Sequence, residues 1–301
     1  MKTLFTFPGQ GTQRAGMLHA LPRDETWHTA HAVLGDELRQ LDSADALRHT
    51  RAVQLALLIK AVSAARQLIA RGVKPDMVCG LSIGAYPAAV IAGALQFADA
   101  LKLVALRGEL MEQAYPQGYG LTAISGMTLG QVEALVDNRH SFIANINAET
   151  QIVIAGSDAA MAAVAQQALA QGAQRAHRLA ISVPSHCALL TQPAQQLKAA
   201  MDSINVQRPH LAYLSGSSAR VLWQPERIAE DLAMNMAHSV RWHEAMVAAR
   251  ERDVRLVIEM PPGEVLTGLT RSVQCQGECL ALERSGEELA LRLFQRLAGT
   301  R

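Results

Sequence analysis

Apolar residues run along this chain in two rhythms. Between Ala52 and Arg71 they recur every three or four positions, with Leu55, Leu58, Ile59, Val62, Ala65 and Ile69 on one face. That spacing predicts an amphipathic helix, and Gly72 just beyond it suits a helix end. Further helices are predicted over Thr26–Leu41, Ser43–Thr50, Asp99–Tyr115, Ala188–Met201, Pro225–Asn235, Trp242–Arg252 and Glu264–Val273, with a helical end to the tail. Short apolar runs at Leu4–Phe7, Val73–Gly80, Leu211–Ser215 and Val254–Glu259 predict strands.

The rhythm changes in the middle. Pro116-Gln117-Gly118-Tyr119-Gly120 is the best linker candidate. After it come a strand (Leu121–Met127), a helix (Leu129–Asn138), two strands (Ser141–Asn147 and Gln151–Ala155), a helix (Asp158–Gln171) and a strand (Gln174–Ile181). The order β-α-β-β-α-β is that of a ferredoxin-like unit. The chain therefore divides into a large α/β body, residues 1–117 and 184–301, and an inserted small domain, residues 118–183.

The body is organised around Met77–Ala98, which carries no charge. At its centre Gly80-Leu81-Ser82-Ile83-Gly84 fits G-x-S-x-G, the elbow where a strand turns sharply into a helix and exposes a nucleophilic serine. The run is long enough to cross a membrane, but its glycines, proline, serine and tyrosine suit a strand and helix buried in an α/β core better. In a chain with 21 glycines the motif also arises by chance.

Composition narrows the classes. With 28 basic and 27 acidic residues and 4% aromatics, there is no reason to expect a nucleic acid or an anionic membrane as partner. Cys79, Cys187, Cys275 and Cys279 form no C-x-x-C pair and read as reduced thiols of a cytoplasmic protein. The first residues carry too short an apolar run for a signal peptide. His28 and His31 lie three apart but lack a third ligand, so no metal is expected.

Three further positions bear on chemistry. The loop Pro8–Gln13 follows the first strand; its two glycines either offer free backbone N–H groups to an anion or form an ordinary strand-to-helix turn. Arg107 lies among Leu103, Val104, Leu106 and Leu110; it is either exposed beside the apolar face or directed into a cleft, and the pattern alone favours exposure. His186, in the loop Ser182–Cys187 at the domain junction, could serve as base to a serine or merely face solvent.

Together, Phe7–Gln13, Gly80–Gly84, Leu106–Met111, Asn145–Gly156 (NINAETQIVIAG), Val183–Cys187 and Pro261–Leu269 resemble the malonyl-CoA:acyl-carrier-protein transacylase family. Six blocks in order cover nearly the whole chain. The resemblance implies an α/β-hydrolase-like large domain with a ferredoxin-like insert. It implies Ser82 as acylated nucleophile, His186 as its base, and the main-chain carbonyl of Asn235 as the group orienting the imidazole. Backbone N–H groups of Gln10 and Ile83 would form the oxyanion hole. Arg107 would grip the free malonyl carboxylate, with Gln54 in the same pocket. Malonyl-CoA would be the substrate, and the acceptor an acyl-carrier protein bearing a phosphopantetheine-type arm. No cofactor of the enzyme's own is implied.

The chain departs from the usual pattern at the elbow. Leu81 stands where the family has histidine, Ile83 where it has leucine, Ala85 where a glutamate follows, and Asn235 where glutamine is usual. The variant GLSIGAYPAAV looks like the transacylase (epsilon) subunit of malonate decarboxylase, whose carrier protein has a dephospho-CoA-derived arm. Other malonate decarboxylase subunits then become further partners. The expected reaction is ping-pong acyl transfer through a seryl ester. A fatty-acid-synthesis malonyl transacylase and a serine thioesterase or hydrolase are the alternatives; a non-catalytic subunit that only docks a carrier protein is the third.

Overall fold

The computed structural model describes residues 1–115, 117–274 and 276–298. Pro116, with which the predicted linker begins, and Cys275 lie outside the described residues.

Six strands form the main sheet: β1 (Lys2–Phe7), β2 (Met77–Gly80), β7 (Ala212–Leu214), β8 (Val221–Leu222), β9 (Val254–Glu259) and β10 (Glu278–Ala281). Their order is β10-β9-β1-β2-β7-β8. All pairs are parallel except β7–β8. The central strands β1 and β2 are apolar on both faces because helices cover both. On one side Phe5, Phe7 and Val78 pack with residues of helix Thr50–Ala70, including Leu55, Leu58 and Ile59. On the other, Leu4, Met77 and Cys79 pack against Trp242, Ala245 and Met246 of helix Trp242–Glu251. Helix Thr50–Ala70 has the length and hydropathy of a membrane span, but its apolar surface is spent within this core.

The second sheet comprises β3 (Tyr119–Ser125), β4 (Ser141–Ala148), β5 (Gln151–Ser157) and β6 (Arg175–Arg178), in the antiparallel order β4-β5-β3-β6. Helices Leu129–Glu133 and Asp158–Ala170 follow β3 and β5. One face packs Ile124, Ile152 and Ile154 against Met161 and Val164 of the second helix. The other face, with Leu121, Ala144 and Val153, meets Cys187 of the large body. This is the ferredoxin-like small domain. It is tied to the body where Val240 exchanges backbone hydrogen bonds with Ala144 (2.8 Å) and Ile146 (2.7 Å).

Several expected elements are shorter. Thr26–Leu41 is helical only over Glu25–Leu34, since Gly35 at φ +59° turns the chain into a 3₁₀ segment, Gly35–Arg39. Ser43–Thr50 is not a helix: only Ala46–Arg48 forms a 3₁₀ turn, and extended His49 restarts the chain so that the long helix begins at Thr50. Leu129–Asn138 stops at Glu133. Strands β8 and β10 were not expected. Both are short strands at the edges of the sheet, with partial burial and no clear alternation to announce them.

Candidate active site

The elbow is built by contact distances that only glycine permits. A Cβ on Gly80 would lie 2.0 Å from the carbonyl atoms of Gly84, and one on Gly84 would lie 2.1 Å from the Phe7 carbonyl oxygen. The turn can therefore close against β1. Ser82 sits at its apex with φ +58°, a conformation a non-glycine residue holds only when its surroundings enforce it. Helix Ala85–Ile91 follows, fully buried.

His186 arrives from the far side of the crevice. Its Nε2 lies 2.8 Å from Ser82 Oγ. Its Nδ1 lies 2.8 Å from the Asn235 carbonyl and 3.2 Å from the His238 carbonyl. Carbonyl oxygens only accept, so Nδ1 carries the proton and Nε2 is left to accept the serine hydroxyl. The ring is 2% exposed. Burial, reinforced by the nearby Arg107 charge, pushes its pKa down to about 4, so the imidazole is a neutral base at ordinary pH.

Arg107 is not exposed, contrary to what the apolar pattern of its helix favoured. It is 0% exposed, turned from helix Phe97–Ala114 toward the elbow. The next residue explains its approach. A Cβ on Gly108 would lie 2.4 Å from the Arg51 Cα, so glycine lets this helix close tightly on Thr50–Ala70. Arg107 Nη1 donates to Gln54 Oε1 at 2.7 Å, and Nη2 donates to Asn235 Oδ1 at 3.0 Å and to Ser82 Oγ at 3.2 Å. Gln54 Nε2 in turn donates to Gln10 Oε1 at 3.1 Å. Among the described residues no carboxylate pairs with Arg107, and its Nε has no partner. Burial lowers its pKa to about 10, which still leaves it cationic at neutral pH. Its guanidinium lies 6.0 Å from the centroid of the Tyr86 ring, whose hydroxyl is anchored on the Leu232 carbonyl at 2.9 Å.

The structure thus brings Ser82, His186, Arg107, Gln54, Asn235 and the Gln10 loop into one hydrogen-bonded cluster, with Arg107, Gln54 and Asn235 buried behind Ser82. Ile83, next to Ser82, is fully buried on the body side. Ser82, His186, Gln10 and Leu81 line a cavity of about 330 Å³ whose opposite wall is the small domain's β3, β4 and β5. Asn145 and Asn147, two apart on β4 and so on one face of the strand, line this cavity, and their Oδ1 atoms are buried without a hydrogen-bond partner. Neither residue was given a role from the sequence, although both lie in the NINAETQIVIAG block. The two-residue spacing was the available signal. Cys187, beside His186, is a poor rival nucleophile: burial pushes its thiol up to about 11, and it donates to the Pro184 carbonyl at 3.3 Å. Cys79, Cys187 and Cys279 are free thiols. Among the described residues no three His, Cys, Asp or Glu side chains gather as metal ligands.

An elbow serine hydrogen-bonded to a neutral imidazole, with a buried guanidinium beside it, is an arrangement able to carry out acyl transfer. The acyl transferase domain model matches residues 4–279. The chain belongs to the acyl transferase family. Within it, the malonyl CoA-acyl carrier protein transacylase of Haemophilus influenzae is 36% identical over 287 residues, covering 90% of this chain and 92% of that protein. The same-named protein of Bacillus subtilis is 34% identical over 93% of each chain. The acyl-carrier-protein S-malonyltransferase of Burkholderia pseudomallei superposes with a TM-score of 0.91 at 33% identity, over 97% of this chain and all of that one. A malonyl-transacylase solved in complex with a type II acyl-carrier protein superposes with a TM-score of 0.87 at 33% identity, covering 93% of this chain and 96% of that one. These neighbours share the acyltransferase's large α/β domain and ferredoxin-like small domain.

Proposed function

We propose that the protein is an acyl-carrier-protein S-malonyltransferase working through a seryl ester. One observation carries this reading: a buried arginine without a carboxylate partner donates to the hydroxyl of the elbow serine. Leaving a cation so buried and unpaired is costly. A substrate carboxylate would complete it, and malonyl is an acyl group that brings one.

In the proposed reaction Ser82 Oγ attacks the malonyl thioester carbonyl while His186 Nε2 takes its proton. Backbone N–H groups of Gln10 and Ile83 receive the oxyanion, each contributing about 3 kcal/mol to the transition state in comparable sites. The C–S bond breaks, His186 returns the proton to the departing CoA sulfur, and a malonyl ester remains on Ser82. The carrier thiol then gives its proton to His186 and attacks the ester, and Ser82 recovers its hydrogen as it leaves. Base and oxyanion donors suffice, so no metal is called on. The side-chain amides of Asn145 and Asn147, which line the cavity, suit hydrogen bonds with the amide groups of a pantetheine-type arm, which would thread between the two domains.

The names of the relatives support an acyl-carrier protein as acceptor, in one solved complex a type II PKS acyl-carrier protein. The elbow GLSIGAYPAAV, with Leu81, Ile83 and Ala85, supports instead the carrier subunit of malonate decarboxylase. Two experiments test these readings. Intact-protein mass after mixing with malonyl-CoA should gain one malonyl group, absent in Ser82→Ala; an adduct that survives the substitution would remove Ser82 as nucleophile. Transfer to carriers bearing the ordinary arm and the dephospho-CoA-derived arm should then rank the acceptors. Release of free malonate in the presence of both carriers would favour a hydrolase.

A further inference from the structure

We infer that the side chain of Asn235, separately from its main-chain carbonyl, is a positioning residue that sets the acyl selectivity of the site through Arg107. The inference rests on the proposed malonyl transfer. Asn235 is 3% exposed and lies in the 3₁₀ turn Asn235–Ala237, after helix Pro225–Met234. Three of its polar atoms are engaged in the crevice. Its carbonyl accepts from His186 Nδ1 at 2.8 Å, its Oδ1 accepts from Arg107 Nη2 at 3.0 Å, and its Nδ2 donates to the Ser82 carbonyl at 3.3 Å. One residue therefore references the base, the cation and the nucleophile's backbone to each other.

The chemistry of the amide matters as much as its place. Gln54 Oε1 holds Nη1 on one flank of the guanidinium and Asn235 Oδ1 holds Nη2 on the other. Both acceptors are neutral. They orient the long arginine side chain while leaving its charge uncancelled, so that an incoming carboxylate meets a full cation beside Ser82. A carboxylate at position 235 would have nearly the same shape and would pair with the guanidinium itself. A methyl there would leave Nη2 with Ser82 Oγ as its remaining acceptor and remove the Asn235 donor from the Ser82 carbonyl. Neither change touches the main-chain carbonyl that orients His186.

The test is a comparison of kcat and KM for malonyl-CoA and acetyl-CoA in the full-length protein, Asn235→Asp and Asn235→Ala. Labelling of Ser82 by a neutral fluorophosphonate confirms that each variant keeps an assembled serine–histidine pair. In Asn235→Asp the ratio of malonyl to acetyl kcat/KM should fall about ten- to hundredfold, the scale of a lost charged hydrogen bond, chiefly through a higher KM for malonyl-CoA. In Asn235→Ala it should fall by less, because the cation is misplaced but not neutralised. A purely structural role would depress both substrates in parallel; an unchanged ratio in labelled variants overturns the inference while leaving the malonyl reading intact. Should Asn235→Asp fail to label, the Asn235→Ala ratio decides. A parent protein that shows no preference for malonyl ends both.

Discussion

The two walls of the crevice are built on different terms. On the large-body side, Gln10, Gln54, Arg107, Asn235 and Ser82 form a continuous chain of hydrogen bonds, all within the protein. On the small-domain side, Asn145 and Asn147 hold acceptors with no partner, set among Leu121, Val153 and Ile181. The body wall is already organised, with its one unmet demand being a charge. The small-domain wall presents neutral amide and apolar side chains to the cavity. A crevice of this kind discriminates at the body wall, where a misfit carries an electrostatic cost, and tolerates variety at the other, where each contact is a single neutral hydrogen bond. Under the proposed reaction the acyl group is selected by one domain and its carrier arm is guided by the other.

Substitutions on the two walls should separate these roles. The largest effect belongs to the base: His186→Ala should slow single-turnover release of CoA by roughly ten-thousand-fold or more, as loss of the base does in serine enzymes. A residual rate within tenfold of the parent would mean another group takes the proton. Next is the body wall's charge. Arg107→Ala should narrow the malonyl advantage over acetyl about ten- to hundredfold. Parallel losses with both substrates would break the comparison at its core.

The pH dependence comes third. The free enzyme's His186 is held down to about 4 by burial and by Arg107. It must be neutral to accept a proton, so kcat/KM for malonyl-CoA should stay level as pH falls through 6 and drop only toward pH 4. An ordinary histidine would impose its acid limb near about 6.5, and finding the limb there would show that the ring is wetter than the crevice implies. The same sign governs stability. The unfolded chain binds the proton more readily, so this residue's contribution is fully present above about 6.5 and is lost as pH falls to about 4. Urea midpoints across that range should decline in the parent and less so in His186→Ala.

The smallest effects should come from the small-domain wall. Asn145→Ala and Asn147→Ala should each raise KM for malonyl-CoA and for the carrier by roughly fivefold, the worth of one neutral hydrogen bond, with the malonyl-to-acetyl ratio little altered. A large change in that ratio would erase the division of labour between the walls.

Local pattern and local sterics were enough for much of this molecule. The G-x-S-x-G elbow is legible because its two glycines answer to atoms a few residues away or on the adjoining strand. The β-α-β-β-α-β order of the insert is legible because each element's period and its turn residues are contiguous. The buried strands β1, β2 and β9 announce themselves as short apolar runs. What stayed hidden depends on neighbours distant in the chain. Arg107 sits at a helical position that pattern alone assigns to water, and only the approach of the Gln54 helix, the elbow and the Asn235 turn makes it interior. Asn235 carries three separate hydrogen bonds that no spacing records, because their partners lie on Arg107, His186 and Ser82. Strand β10 exists because β9 offers it an edge, and the would-be helix at Ser43–Thr50 gives way because His49 must start the next one. Periodicity reports which face of an element is apolar; which polar groups that face will meet is decided when the chain is packed, since burial of a charge is set by what covers it.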